Sequence, residues 1–207
     1  PPSSQLSIMG AEIVLNLSAE SVLAGKDDYL RNQISSQSAR CIGGYVYAGA
    51  GFGESSTDIV FNAQALIYEN GKMLAENLPF CTESQLVFSE IDIEHIRSER
   101  RKNNIFSESA RETQTNECVF INTDMMVSHS LALSRLYSPH PFIPDNKEAL
   151  DKRAEEVYNI QTIGLAKRLK HTNCKSVVIG ISGGLDSTLA LLVTVGTYDL
   201  LGLNRKD

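Results

Sequence analysis

Tryptophan is absent from the 207 residues, and cysteine and histidine number only four each. Cys41, Cys81, Cys118 and Cys174 follow no paired metal-ligand spacing and no disulfide framework, so a reducing cytoplasm is the expected setting. The histidines are scattered, with none four residues from another, which removes a helical metal motif. No apolar run approaches the roughly 20 residues that a membrane span needs, and no leader is visible. Pro1, not Met, opens the chain, so the true N-terminus is expected to lie elsewhere and the missing leader says little. A basic excess is lacking too. The net charge is −6, which argues against nucleic acid as a partner. The longest basic run, Lys167-Arg168-Leu169-Lys170, suits the last turn of a helix, where cations complement the dipole. What remains is 42% hydrophobic and 21% charged, an ordinary soluble composition with room for one large domain or two small ones.

The pattern predicts mixed α/β structure in two folding units. Residues 11–17 and 43–48 read as short buried strands. Asp27 and Asp28 are expected to cap a helix running through Arg40, with Leu30, Ile34 and Cys41 near one face. Residues 59–76 read as a hairpin turning at Asn70-Gly71, which suits a type I′ turn. A further strand is expected over 86–93 and a charged helix over 94–102. Residues 103–118, rich in Ser, Asn, Glu and Thr, read as loop. Pro139, Pro141 and Pro144 mark an extended connection, with the boundary near Asp145. Asp145 is the expected N-cap of a long helix striped by Leu150, Ala154, Val157, Ile160, Leu165 and Leu169. Residues 176–181 follow as an apolar strand of the kind buried in a parallel sheet, and residues 187–195 as a second helix.

The turn between that strand and that helix, Ser182-Gly183-Gly184-Leu185-Asp186-Ser187, carries the chemistry. A helix N-terminus has unpaired N–H groups and a partial positive charge, so it attracts anions. Two glycines let the backbone curl round one phosphate, and Ser182 and Ser187 add hydroxyl donors. Asp186 would repel a phosphate, so its sensible role is to hold a bridging Mg²⁺. The Gly-Lys-Ser/Thr ending of a Walker A loop is missing. A second glycine-rich stretch, residues 49–53, follows a strand but precedes a β-like segment, not a helix, and reads as tight packing or a bend.

The turn resembles the SGGxDS loop of N-type ATP pyrophosphatases. The flanking text, Glu156-Val-Tyr-Asn-Ile-Gln161 and residues 175–191 (KSVVIGISGGLDSTLAL), resembles the synthetase domain of glutamine-dependent NAD synthetases. Upstream, Pro1-Pro-Ser3, residues 10–18, Ser38-Ala-Arg40, residues 45–58 (YVYAGAGFGESSTD), Glu69-Asn-Gly71 and Leu74-Ala-Glu76 resemble the amidase domain of the same enzymes, which is of the nitrilase superfamily. The likeness runs along almost the whole chain and is weakest over 103–138.

The resemblance implies the C-terminal half of a nitrilase-like α-β-β-α sandwich over 1–125, a linker over 126–145, and over 146–207 the first helix–strand–loop–helix of a Rossmann-like parallel-sheet domain. It implies a ligase. Glutamine is hydrolysed, ATP activates the carboxylate of nicotinic acid adenine dinucleotide by adenylation, and ammonia displaces AMP to give NAD. ATP would be held by Gly180, Ile181, Ser182, Gly183, Gly184, Leu185, Asp186 and Ser187, with Asp186 on Mg²⁺ and Ser182 a catalytic candidate. Ser21 and Lys26 are the glutamine-binding candidates, with Glu20 where relatives carry a Ser, and Glu54 could face the amidase pocket. The amidase Cys, Glu and Lys of the family match no residue here, so the chain looks like an internal fragment that cannot turn over by itself, and Cys41 reads as a buried core thiol. A homo-oligomer is implied, with small-molecule substrates and neither nucleic acid nor membrane as partner. Three rival readings remain: another pyrophosphatase amidotransferase such as a GMP synthetase, a stand-alone nitrilase-class amidase, and a non-enzymatic scaffold.

Overall fold

A computed structural model of the chain describes residues 1–54, 57–112, 119–124, 132–144 and 146–205. The chain divides into two compact units, Pro1–Leu136 and Tyr137–Asp207. Among the described residues no helix is long and apolar enough to cross a membrane.

The first unit is built on a four-stranded sheet in the order β1-β2-β3-β4. β1 (Ile13–Ser18) pairs in parallel with β2 (Gly44–Gly49), and the crossover between them is helix α2 (Asp27–Cys41). Antiparallel pairing adds β3 (Ala65–Glu69) and β4 (Lys72–Glu76). The β3–β4 turn carries positive φ at both Asn70 (45°) and Gly71 (84°), as a type I′ hairpin requires. Alternation sorts the sheet into two faces. Tyr45, Tyr47, Leu66 and Tyr68 point to one side, where Ile34 and Leu30 of α2 complete the core. On the other, Leu15 and Leu17 are 74% and 86% exposed.

The helix over 27–41 forms as expected, but its N-cap is Lys26, without a side-chain cap bond, and the aspartates stand in its first turn. Their charge suits that end of the dipole, and Asp27 is drawn away to Arg31 and Gln64. Helix α1 (Pro2–Ile8) has too little apolar periodicity to be anticipated. The loop expected over 103–118 is instead helix α4 (Asn104–Glu112) as far as the described residues reach. The signal was Asn103, whose side chain accepts the Phe106 N–H at 3.0 Å, an N-cap contact. The strand expected over 86–93 does not form. Leu86 and Phe88 are 86% and 78% exposed, and Ile93 already opens α3 (Ile93–Lys102), capped by Asp92. Ile91 lies over Gly44, where an added Cβ would come within 2.8 Å of it, so this segment packs without pairing.

Two polar anchors hold the first unit. Arg100 is buried and donates to the carbonyls of Ile42, Ser7, Ala11 and Cys41 at 2.8–3.4 Å. It thereby serves the C-terminal ends of α1 and α2, whose last carbonyls lack helical partners. Its guanidinium also stacks over Phe106, 4.8 Å from the ring centroid. Glu69, also buried, takes a two-pronged contact from Arg135 at 2.7 and 2.8 Å and the Asp92 N–H at 2.7 Å.

The second unit pairs α5 (Lys147–Thr172) with α6 (Leu185–Leu201). Asn146, not Asp145, supplies the cap, accepting the Ala149 N–H at 2.7 Å, and Asp145 lies outside the described residues. Of the expected stripe only Leu169 is buried, together with Thr162 and Ala166, while Leu150, Val157 and Ile160 are exposed. One facing helix covers only a narrow i, i+4, i+7 seam, and it is filled from α6 by Val193, Thr197 and Tyr198. Residues 176–181 form no strand, because no other strand of this unit exists among the described residues to complete the hydrogen bonds. Val178 is accordingly 97% exposed. The second helix begins at Leu185, two residues before the expected 187, and runs to Leu201.

Candidate functional site

The glycine turn of the second unit stands at the N-terminus of α6. Gly183 takes φ +84°, with nothing within 4 Å of where a Cβ would be. Gly184 is the N-cap and makes no side-chain cap bond, so no side chain closes the helix end. Ser182 Oγ lies 3.4 Å from Ser187 Oγ and accepts the Gly184 N–H at 3.4 Å. Ser187 and Thr188 hydroxyls donate back to the Gly184 carbonyl at 3.1 and 2.9 Å. Asp186 occupies the first helical turn and is exposed. The expected residues 180–187 thus form one continuous segment into the first turn of α6, exposed as far as Asp186 and half-buried at Ser187, with both serines folded towards each other over the N-cap. The donor set fits an anion held by backbone N–H groups and hydroxyls. It offers one carboxylate to a cation, and no group of three His, Cys, Asp or Glu gathers among the described residues. A magnesium ion held by one carboxylate and by phosphate oxygens suits such a set.

The first unit carries a cavity of about 290 Å³ where β1 crosses into α2. Ser21 and Lys26 both line it, with Glu20, Tyr47, Gln64 and Phe80 among the other walls. Backbone bonds close it: Val22 N–H to Val60 at 2.9 Å and Phe80 N–H to Asn62 at 2.7 Å. The Lys26 ammonium is paired with the Glu20 carboxylate, and that hydrogen bond raises the lysine pKa. Below the pair, Asp27 accepts Gln64 Nε2 at 2.6 Å and Arg31 Nε at 2.7 Å, and Arg31 reaches Glu76 at 2.7 Å. The bond from Arg31, then that from Gln64, hold the Asp27 carboxyl below its usual value. Asp27 and Arg31 are therefore committed inside the unit, while Glu20, Ser21 and Lys26 stand among the cavity's other polar groups.

Glu54 is exposed and outside this lining. Cys41 is buried, with its Sγ 3.2 Å from Gln37 Nε2 and 3.8 Å from the Ser3 carbonyl, as a core thiol. Gly51 bears out tight packing in the glycine stretch, since a Cβ there would meet Ala63 at 2.9 Å. Cys118 lies outside the described residues. Sequence reasoning missed Tyr47, Gln64 and Phe80 as cavity walls. Only the alternation of β2 could have pointed Tyr47 towards α2.

No family model matches the chain. Curated relatives do. The chain is 37% identical over 210 aligned residues to the glutamine-dependent NAD(+) synthetases of Mycobacterium bovis and Mycobacterium tuberculosis, and 36% identical to that of Mycobacterium leprae. In each case the alignment takes in 100% of this chain and 31% of the relative, so the chain spans about a third of their length. The resemblance read from the sequence is therefore borne out. Among solved structures, a glutamine-dependent NAD(+) synthetase from Cytophaga hutchinsonii aligns at 29% identity and TM-score 0.34, over 35% of this chain and 12% of that one. A carbon-nitrogen hydrolase from Helicobacter pylori G27 aligns at 16% identity and TM-score 0.42, over 55% and 42%.

Proposed function

We propose that the chain is part of a ligase that amidates nicotinic acid adenine dinucleotide to NAD, with ATP as activator and glutamine as nitrogen source. The observation that carries this reading is the likeness to the mycobacterial glutamine-dependent NAD(+) synthetases along 100% of the chain. It includes both the cavity loop and the glycine turn.

In this reading residues 1–125 are the C-terminal part of a carbon–nitrogen hydrolase domain, 126–145 a linker and 146–207 the opening of a Rossmann-like pyrophosphatase domain. The apolar face of β1 supports the first assignment, because Leu15 and Leu17 suit a second sheet packed on them as in an α-β-β-α sandwich. A cytoplasmic homo-oligomer goes with the same reading.

The chain's own residues do two things. In the second unit, the N–H groups of Gly183 and Gly184 and the hydroxyls of Ser182 and Ser187 would cradle ATP phosphates, with Gly180, Ile181 and Leu185 shaping the turn and Asp186 on Mg²⁺. ATP bound there supplies the adenylyl group that makes the nicotinate carboxylate a good acceptor for ammonia. In the first unit, Ser21 and Lys26 would hold the polar head of glutamine while the amide is hydrolysed by the amidase chemistry of the whole enzyme.

The test is product analysis with a polypeptide that carries this chain at the length of its relatives. It should release AMP and pyrophosphate, one of each per NAD. In Asp186→Ala, NAD formation should fall at least about 100-fold, as for loss of a metal ligand in a phosphoryl site, while glutamine hydrolysis by the other domain persists. Release of ADP and phosphate, or an unaffected variant, would count against the assignment.

A further inference from the structure

The connection to the second unit is pinned before it leaves the first. Arg135 stands next to Leu136, the last residue of the first unit. Its guanidinium takes Glu69, at the end of β3, with two bonds of 2.7 and 2.8 Å and also donates to the Glu90 carbonyl at 3.3 Å. The Glu69 side chain is only 5% exposed and that of Arg135 20%, so the pair is rooted in the sheet. Glu90 closes the other side. Its carboxylate accepts the Ser134 N–H at 2.7 Å, the Ser134 hydroxyl at 3.0 Å and the Arg135 N–H at 2.8 Å. Backbone and side chains of the same two residues are thus held at once. Two carboxylates meet one guanidinium, and the second is balanced by the N–H groups, which hold the Glu90 carboxyl below its usual range. A two-pronged arginine contact fixes direction as well as distance.

Downstream the chain has its own stiffening. The Ile143 N–H closes a turn on the His140 carbonyl at 3.0 Å, with Pro141 where its fixed φ suits a β-turn. Asn146 then caps α5. Residues 136–145 alone separate the clasp from that cap, about half of the 126–145 span that the sequence suggests as linker.

We propose that Glu69 and Glu90 act through Arg135 as positioning residues for nitrogen transfer: by clasping residues 134–135 they keep the connector short, and so keep the ammonia released by one unit available to the other. This rests on the glutamine-to-NAD reading, in which the first unit supplies nitrogen to the second. Ammonia left in bulk solution is diluted at once, and how often the acceptor is at hand is set by the tether. Effective concentration falls with about the −3/2 power of tether length, so doubling the free length costs about threefold. None of Glu69, Glu90, Ser134 and Arg135 lines the cavity of the first unit, so loss of the clasp should leave each half-reaction intact.

The test uses the polypeptide at the length of its relatives and counts NAD formed per glutamate released, with ATP and nicotinic acid adenine dinucleotide in excess. The wild type should give a ratio near one. In Glu90→Gln and Arg135→Gln the ratio should fall about threefold. Glutamine hydrolysis, and NAD formation from added ammonium chloride, should keep wild-type rates, which a general loss of structure would not allow. An insertion of about ten Gly and Ser residues after Tyr137, flexible and as long as the connector itself, leaves the clasp intact and should lower the ratio in the same way. It keeps the test decisive if Arg135→Gln does not fold. A wild-type ratio in Glu90→Gln or in the insertion variant overturns the proposal while the NAD reading stands. A wild type that forms no NAD from glutamine overturns both.

Discussion

Arg100 shows how much one side chain can hold. It bonds four carbonyls that belong to the ends of two helices and the loops after them. Among the described residues no carboxylate is bonded to it in return, and burial pulls its pKa below that of a free guanidinium. Four carbonyls share one donor group, and only that of Ser7 has a further donor, the Gly10 N–H at 3.1 Å, so replacing Arg100 strands the other three. Arg100→Met should destabilise the first unit by about 3 kcal/mol, read as a lower urea midpoint, since each buried polar group left unpaired costs about 1–3 kcal/mol. Arg100→Lys should recover little, because one ammonium cannot reach four acceptors spread around a fork. A variant with an unchanged midpoint would contradict the anchoring role. None of this was legible in the sequence, where Arg100 stands in the run Glu99-Arg100-Arg101-Lys102 like any solvated helix end. Charge identity says nothing of burial. The turn at Asn70-Gly71 was legible, because the geometry there is a property of two adjacent residues.

Elements were legible in proportion to how local their causes are. β1, β2, α2 and the hairpin follow from alternation, helical spacing and turn chemistry. The strands expected over 86–93 and 176–181 failed because an apolar run specifies burial only, and a strand also needs a partner with free N–H and C=O groups. The segment before α3 is held instead by side chains. Glu90 accepts the N–H groups of Ser134 and Arg135 at 2.7 and 2.8 Å, and Arg135 grips Glu69. Burial pushes the Glu69 carboxyl up, but the bonds from Arg135 and the Asp92 N–H outweigh it and hold it below the usual range. A depressed carboxyl contributes stability that is present above its unfolded value, and loses it as pH falls through the folded one. Unfolding by urea at pH 7 and pH 4 should therefore show an acid-sensitive first unit. In Glu69→Gln the protein should start weaker and change less between the two, and an identical pH dependence would refute the contribution.

In the second unit α6 meets α5 tightly at Gly196, where a Cβ would collide with the ring and hydroxyl of Tyr158. Tyr158 also donates to the Leu192 carbonyl at 3.0 Å. Gly196→Ala should separate α5 and α6 despite its better helix propensity, and pairing it with Tyr158→Phe should not restore the packing fully, since the ring still meets the added carbon. The measurement is helical content on heating. A higher midpoint for Gly196→Ala would mean that propensity outweighs the clash.

At the scale of the whole molecule, the proposed function assigns the two units two separate recognitions. One is an anion turn built from backbone at a helix start, and the other is a charged rim over a cavity. The first was legible because strand-turn-helix context and six residues suffice to define it, even though the strand itself does not form. The second was only half legible: Ser21 and Lys26 came from likeness to relatives, while the partner that occupies Lys26 emerged from the fold. The chain corresponds to about a third of the relatives it matches. The most direct measurement follows nitrogen. A polypeptide carrying this chain at its relatives' length is given glutamine labelled with ¹⁵N in the side-chain amide, together with ATP, Mg²⁺ and nicotinic acid adenine dinucleotide. The account predicts NAD labelled in its carboxamide, with AMP as the nucleotide product. Labelled ammonia without labelled NAD would contradict it and leave an amidase in its place.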